Sequence, residues 1–118
     1  MKRFRTGPET AWPITDYGSS FRLTRLLRSE TKEARVDLAY LAPGNQISRH
    51  RAGLPQLFYV LEGSGWVSGD DEIEHPITAG EAAFWSHGEL HAARTEPGLM
   101  ALIVQSEELD PEALLTGA

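Results

Sequence analysis

The chain has 118 residues, of which 41% are hydrophobic and 24% charged, with no cysteine and a formal net charge of −6. That length suits one compact domain spanning residues 1–118, and the composition is too apolar for a disordered chain. The acidic balance argues against a nucleic-acid partner, the lack of cysteine removes disulfides, thiolate ligands and a cysteine nucleophile, and no stretch approaches the ~18 apolar residues of a membrane span. The amino-terminal MKRFRTGPET carries basic residues without an apolar run behind them, so no leader is expected and the protein is expected to be cytoplasmic.

In chain order, the sequence reads as short β-rich runs between turn residues. FRLTRLLR (residues 21–28) and ARVDLAYLAP (34–43) flank the polar SETKE, and in the second run Val36, Leu38 and Tyr40 alternate with Asp37 and Ala39 at the strand period. ISRH (47–50) follows the turn Pro43-Gly44-Asn45, and QLFYVLEG (56–63) follows Gly53-Leu54-Pro55. GWVSGDDEIEHPI predicts two further short strands about Gly69-Asp70. EAAFWS, a turn at HGEL, HAART and the apolar LMALIVQS (99–106) complete a series of eight or nine strands. A short helical element is expected at the carboxyl terminus, where Asp110 can cap, Pro111 suits the first helical position and Glu112 the first turn. The strand pattern fits a sandwich, an up-and-down barrel or a jelly roll, and periodicity alone does not choose among them.

Two stretches carry regularly placed polar residues. The first, 44–63, holds Gly44, His50, Ala52, Gln56 and Gly63; the second, 80–95, holds Gly80, Ser86, His87, Gly88, His91 and Thr95. Their spacing, together with YVLEGSGWV (59–67), resembles the two signature motifs of the cupin family. That resemblance implies an all-β double-stranded β-helix, the jelly-roll barrel of the family, in which a His-x-His pair and a Glu of the first motif join a His of the second. The family pattern is kept at His50 and His91 and broken at Ala52, where a second His is expected, and at Gln56, where Glu is expected. Ser86 and Thr95 also replace the usual Pro and Asn.

Strand parity puts Gln56, Phe58 and Val60 on one face and Leu57, Tyr59 and Leu61 on the other, so His50, Gln56 and His91 can converge inside the barrel. Two imidazoles and an amide oxygen make a candidate site for a divalent ion such as Zn, Ni, Mn or Fe, held weakly because no anionic ligand offsets its charge. Glu62 lies about 20 Å along the strand from Gln56, and Glu89 falls in a turn that is expected to face solvent. His50, Gln56, Phe58, Phe84 and His91 are the candidate lining of a ligand pocket. Each of the aromatic residues Trp66, Trp85, Phe58 and Phe84 has a competing role in the core, and His75, His87 and the arginines at 22, 25 and 28 are expected to face solvent.

No G-x-S-x-G, phosphate loop or helical H-E-x-x-H is present, so any chemistry is expected to be metal-centred. Two functions follow. One is a binding barrel for a small polar molecule, with or without a weakly held ion; the other is a metal-dependent oxygenase, isomerase or lyase working through His50, Gln56 and His91. Apolar residues on both faces of QLFYVLEG leave an outward face that needs cover, and a homodimer is expected.

Overall fold

The computed structural model describes residues 1–3, 5–29 and 34–112, the side chain of Arg28 excepted. Among these, the expected helical element is seen only at its start, where the Glu112 amide donates to Asp110 Oδ1 at 3.0 Å; residues 113–118, and residues 30–33 of SETKE, lie outside the described set.

Nine strands are described: β1 (Trp12–Ile14), β2 (Phe21–Ser29), β3 (Ala34–Leu41), β4 (Gln46–Arg51), β5 (Gln56–Ser68), β6 (His75–Thr78), β7 (Ala82–Trp85), β8 (Leu90–Arg94) and β9 (Leu99–Gln105). They pair in the order β1-β2-β3-β9-β5-β8-β4, with β6 and β7 also on β5, and every pairing is antiparallel. The sheet curls on itself, as a double-stranded β-helix does. β1 was not among the expected strands; at three residues it is too short for periodicity to show.

The greatest departure from the sequence reading is β5. A break was expected at Gly63, yet the strand continues for 13 residues and serves both halves of the sheet, pairing with β7 and β9 through its first part and with β6 and β8 beyond Gly63. The glycines mark a change of partner. Gly63 has φ +81°, and a Cβ there would run into the Gly98 carbonyl; a Cβ on Gly65 would run into the carbonyl of Arg94. Only glycine lets the backbones meet this closely.

The inner face is built in layers across neighbouring strands. Ala39, Ala101 and Val60 are register neighbours on β3, β9 and β5, as are Asp37, Ile103 and Phe58 one layer up. Phe58 is 0% exposed and contacts Trp85 with ring centroids 5.9 Å apart. In β3, alternation separated two faces without saying which is inward: Asp37 and Ala39 are buried while Val36 and Leu38 are half-exposed. On the outer face Val36, Leu38, Leu57, Tyr59, Leu102 and Val104 form a contiguous apolar surface. Among the described residues no helix is long and apolar enough to cross a membrane.

Candidate functional site

His50 is brought into the barrel by a defect in its own strand. β4 pairs Ile47 with Ala93 and His50 with His91, so three residues on β4 match two on β8. Such a bulge reverses side-chain parity. Ile47 faces the core, a regular strand would turn His50 outward, and the extra residue turns it back in, with Ala52 following on the same face.

The two imidazoles are then register neighbours, their ring centroids 4.3 Å apart and their planes tilted by 56°. His50 Nδ1 lies 2.7 Å from the Ser48 carbonyl and His91 Nδ1 lies 3.4 Å from that of Glu89. A carbonyl only accepts, so each Nδ1 carries the proton and each Nε2 keeps its lone pair. His91 is 2% exposed, and its Nε2 has no hydrogen-bond partner. Burial, then the adjacent His50, depress the His91 pKa from 6.5 to about 4; the Glu89 carbonyl pulls it up, and Arg49 adds the smallest downward push. The ring is therefore neutral at pH 7. Its other surface lies on Trp85, with centroids 4.6 Å apart, while the indole N–H donates to the Ser68 carbonyl at 3.1 Å.

Gln56 is 6% exposed and lines the same cavity as His50, Ala52 and His91, a space of about 1000 Å³. The three expected donors are thus brought to one place. The two expected aromatic residues are not. Phe58 lies beneath the cavity floor as a core residue, and Phe84 is turned away, lining a separate groove with His75, Asp70 and Glu89. Parity explains Phe84: it pairs with the outward Leu57, whereas its neighbour Trp85 pairs with Gln56. Glu89 lies at the end of the expected turn, where its carboxylate accepts an exposed hydrogen bond from the Ser86 amide at 3.0 Å and helps to shape the turn that leads to His91. His75 and His87 are exposed, and His87 meets Glu107 at 3.2 Å. Trp66 carries the Arg94 guanidinium at 4.1 Å from its ring centroid, on the outside of the barrel.

Among the cavity residues that sequence reasoning missed, four stand out. Asp37 is a buried carboxylate on the lining, in register with Arg25 at the rim. Arg35 and Gln105 line the cavity beside Gln56. Tyr17, in the turn Asp16–Gly18, has φ 59° and lays its ring on His50 with centroids 4.8 Å apart and planes 6° from parallel. The turn is pinned to β4, since the Ser48 amide donates to Ser19 Oγ and the Ser20 amide to the Gln46 carbonyl. The D-Y-G-S sequence signals a turn, but nothing in it says that the turn folds over a histidine 33 residues away.

The profile of the family described as "Cupin domain" matches residues 37–104. The chain is a cupin. Among solved structures, this cupin is similar to a predicted oxalate decarboxylase from Thermotoga maritima, at 24% identity and TM-score 0.71 over 87% of this chain and 98% of that one. It is also similar to KdgF from Halomonas sp., at 18% identity and TM-score 0.69 over 95% and 99% of the two chains. A third similar structure is the polyketide cyclase RemF from Streptomyces resistomycificus, at 21% identity and TM-score 0.69 over 91% and 81%. At these identities the likeness establishes the fold. No curated protein matches the sequence.

Cupins often hold a metal ion, and the donor set of this one can be tested for it. Among the described residues no group of three or more His, Cys, Asp and Glu could hold a metal. The donors that the two motifs bring together are neutral: His50 Nε2, His91 Nε2 and the Gln56 amide oxygen, with Asp37 elsewhere on the lining and not grouped with them as a metal cluster. The bare, buried Nε2 of His91 suits a metal ion, and backbone carbonyls fix both rings as outer ligands do. The set fits an ion held loosely, without an anionic ligand to offset its charge in a dry site.

Proposed function

We propose that this cupin binds a small polar molecule in the cavity above His50, Gln56 and His91. One observation carries the reading: His91 Nε2, a lone-pair acceptor with no partner, faces inward at a site that excludes water from most of the ring. A buried acceptor left unmade costs ~1–3 kcal/mol, and a ligand hydroxyl or amine N–H aimed at Nε2 recovers it. Tyr17 stacked on His50 adds a wall that holds the second imidazole in place. Side-chain nitrogen NMR of the histidines during a screen of small hydroxylated and carboxylated compounds tests this. A binder should shift His91 Nε2 and leave the exposed His75 and His87 unmoved. If no compound moves His91 at millimolar concentration, the reading fails.

A second reading is favoured by the same two Nε2 atoms: a divalent ion bound by His50, Gln56 and His91, at which the protein acts as an oxygenase, isomerase or lyase. Such an ion supplies Lewis acidity through its free positions. The residues' own part is to present the two lone pairs, hold the rings through Ser48 and Glu89, and keep the site dry. Excess Zn, Ni or Mn should then raise the melting temperature, His50→Ala or His91→Ala should abolish the rise, and Ala52→His with Gln56→Glu should enlarge it.

The outer apolar surface of Val36, Leu38, Leu57, Tyr59, Leu102 and Val104 supports a two-fold homodimer, because a self-complementary apolar face is covered most simply by its own copy. Light scattering should give twice 13.0 kDa.

A further inference from the structure

The polar layer at the cavity end of the barrel carries a more specific message than the two histidines. Arg35, Gln105, Gln56 and Trp85 are consecutive register neighbours on β3, β9, β5 and β7. Arg35, Gln105 and Gln56 all line the cavity, and among the described residues their side chains make no hydrogen bond or ion pair with the protein. Trp85, the last of the row, packs on His91. The row therefore begins at an exposed guanidinium on the rim, passes two carboxamides, and ends beside a buried imidazole lone pair. Strand spacing puts the Arg35 and Gln56 backbones about 10 Å apart.

Each member limits the ligand. A guanidinium fork pairs with a carboxylate. Carboxamides both donate and accept, so they tolerate oxygen or nitrogen along the ligand's length. His91 Nε2 accepts only, so the inner end of the ligand must donate. Resting on the small-molecule reading above, we infer that the cavity selects an elongated hydroxy acid: carboxylate at Arg35, hydroxyl at His91, the two joined by a chain long enough to run along the row. On a chain of net charge −6, Arg35 lies with Arg25 and Arg51 on the same lining, three cations against the carboxylates of Asp16 and Asp37, so the cavity is locally more attractive to an anion than the chain as a whole.

The probes are 6-hydroxyhexanoate, 1,6-hexanediol and 3-hydroxypropanoate, each titrated into the wild type, Arg35→Gln and Gln105→Leu, with affinity read by calorimetry and His91 Nε2 by NMR. In the wild type, 6-hydroxyhexanoate should bind about tenfold more tightly than the diol, which lacks the carboxylate, and than the short acid, which cannot reach both ends. Arg35→Gln should weaken 6-hydroxyhexanoate about tenfold and the diol far less, so that the advantage over the diol disappears. Gln105→Leu should weaken both long ligands severalfold. Both variants alter exposed or half-buried positions at the strand ends, and thermal melting checks that they fold. If 6-hydroxyhexanoate keeps its advantage in Arg35→Gln, or the short acid binds as well as the long one while still moving His91, the row is not read by the ligand although the cavity binds. If none of the three moves His91 while a compound of the screen does, this inference falls and the small-molecule reading stands; if no compound of either set does, both fall.

Discussion

Two ends of one set of strands differ in what they put inside the barrel. At the lower end β3, β9 and β5 contribute Ala39, Ala101 and Val60, all 0% exposed and part of one buried apolar cluster. Two layers up, the same strands contribute Arg35, Gln105 and Gln56 around a cavity of about 1000 Å³. Between them lies the mixed layer of Asp37, Ile103 and Phe58. The backbone pairing continues unchanged, so hydrogen bonding does not distinguish core from site. The side-chain volume and polarity at alternate positions do, and the lower layers hold the frame on which the upper ones leave their polar groups unmade.

The sharpest test of that contrast is Phe58→Ala, two residues along the strand from Gln56. Removing a wholly buried ring that packs on Trp85 should cost about 3–5 kcal/mol, read as a lower denaturant midpoint. A loss under about 1 kcal/mol would mean that the lower end is not a packed core.

Next in size is a pH dependence that belongs to the cavity end. His91 titrates near pH 4 when folded and near its ordinary 6.5 when unfolded. Between those values the unfolded chain binds more protons, so the stability contributed by neutral His91 is complete above pH 6.5, falls as the pH drops toward 4 and then levels off. The loss should be on the order of 3 kcal/mol, and denaturant melts of wild type and His91→Leu should diverge over that window, the variant being flatter. Parallel curves would show that His91 is not buried neutral.

The smallest effect should be Gln56→Leu. An amide without a protein partner gains nothing from burial, so an apolar side chain of similar volume should leave stability within about 1 kcal/mol of wild type or raise it, while ligand affinity falls. Substantial destabilisation would place Gln56 in the frame and not in the site.

How much was legible follows residue by residue. That His50, Gln56 and His91 face one cavity was legible because they sit at motif spacings that survive as sequence. Phe84 was misplaced because aromatic character does not report which face of a four-residue strand is inward; its pairing with Leu57 does. Gly63 looked like a strand end because glycine usually punctuates, whereas here it allows close approach to Gly98 within a continuing strand. Arg35, Gln105 and Tyr17 had no local signal, for each becomes part of the site only through residues distant in the chain.

The sequence by itself determined that the chain is all-β, that it has the cupin motifs, and that two imidazoles and an amide replace the family's fuller ligand set, because strand period and motif spacing are local properties. The tertiary structure alone decided the facing of His50, through a one-residue bulge that reverses parity, and the polar row from Arg35 to Gln56, which forms across three strands whose order along the chain is β3, β5, β9 but whose order in the sheet is β3, β9, β5. Register between distant strands is set by the whole packed sheet, and no window of sequence contains it.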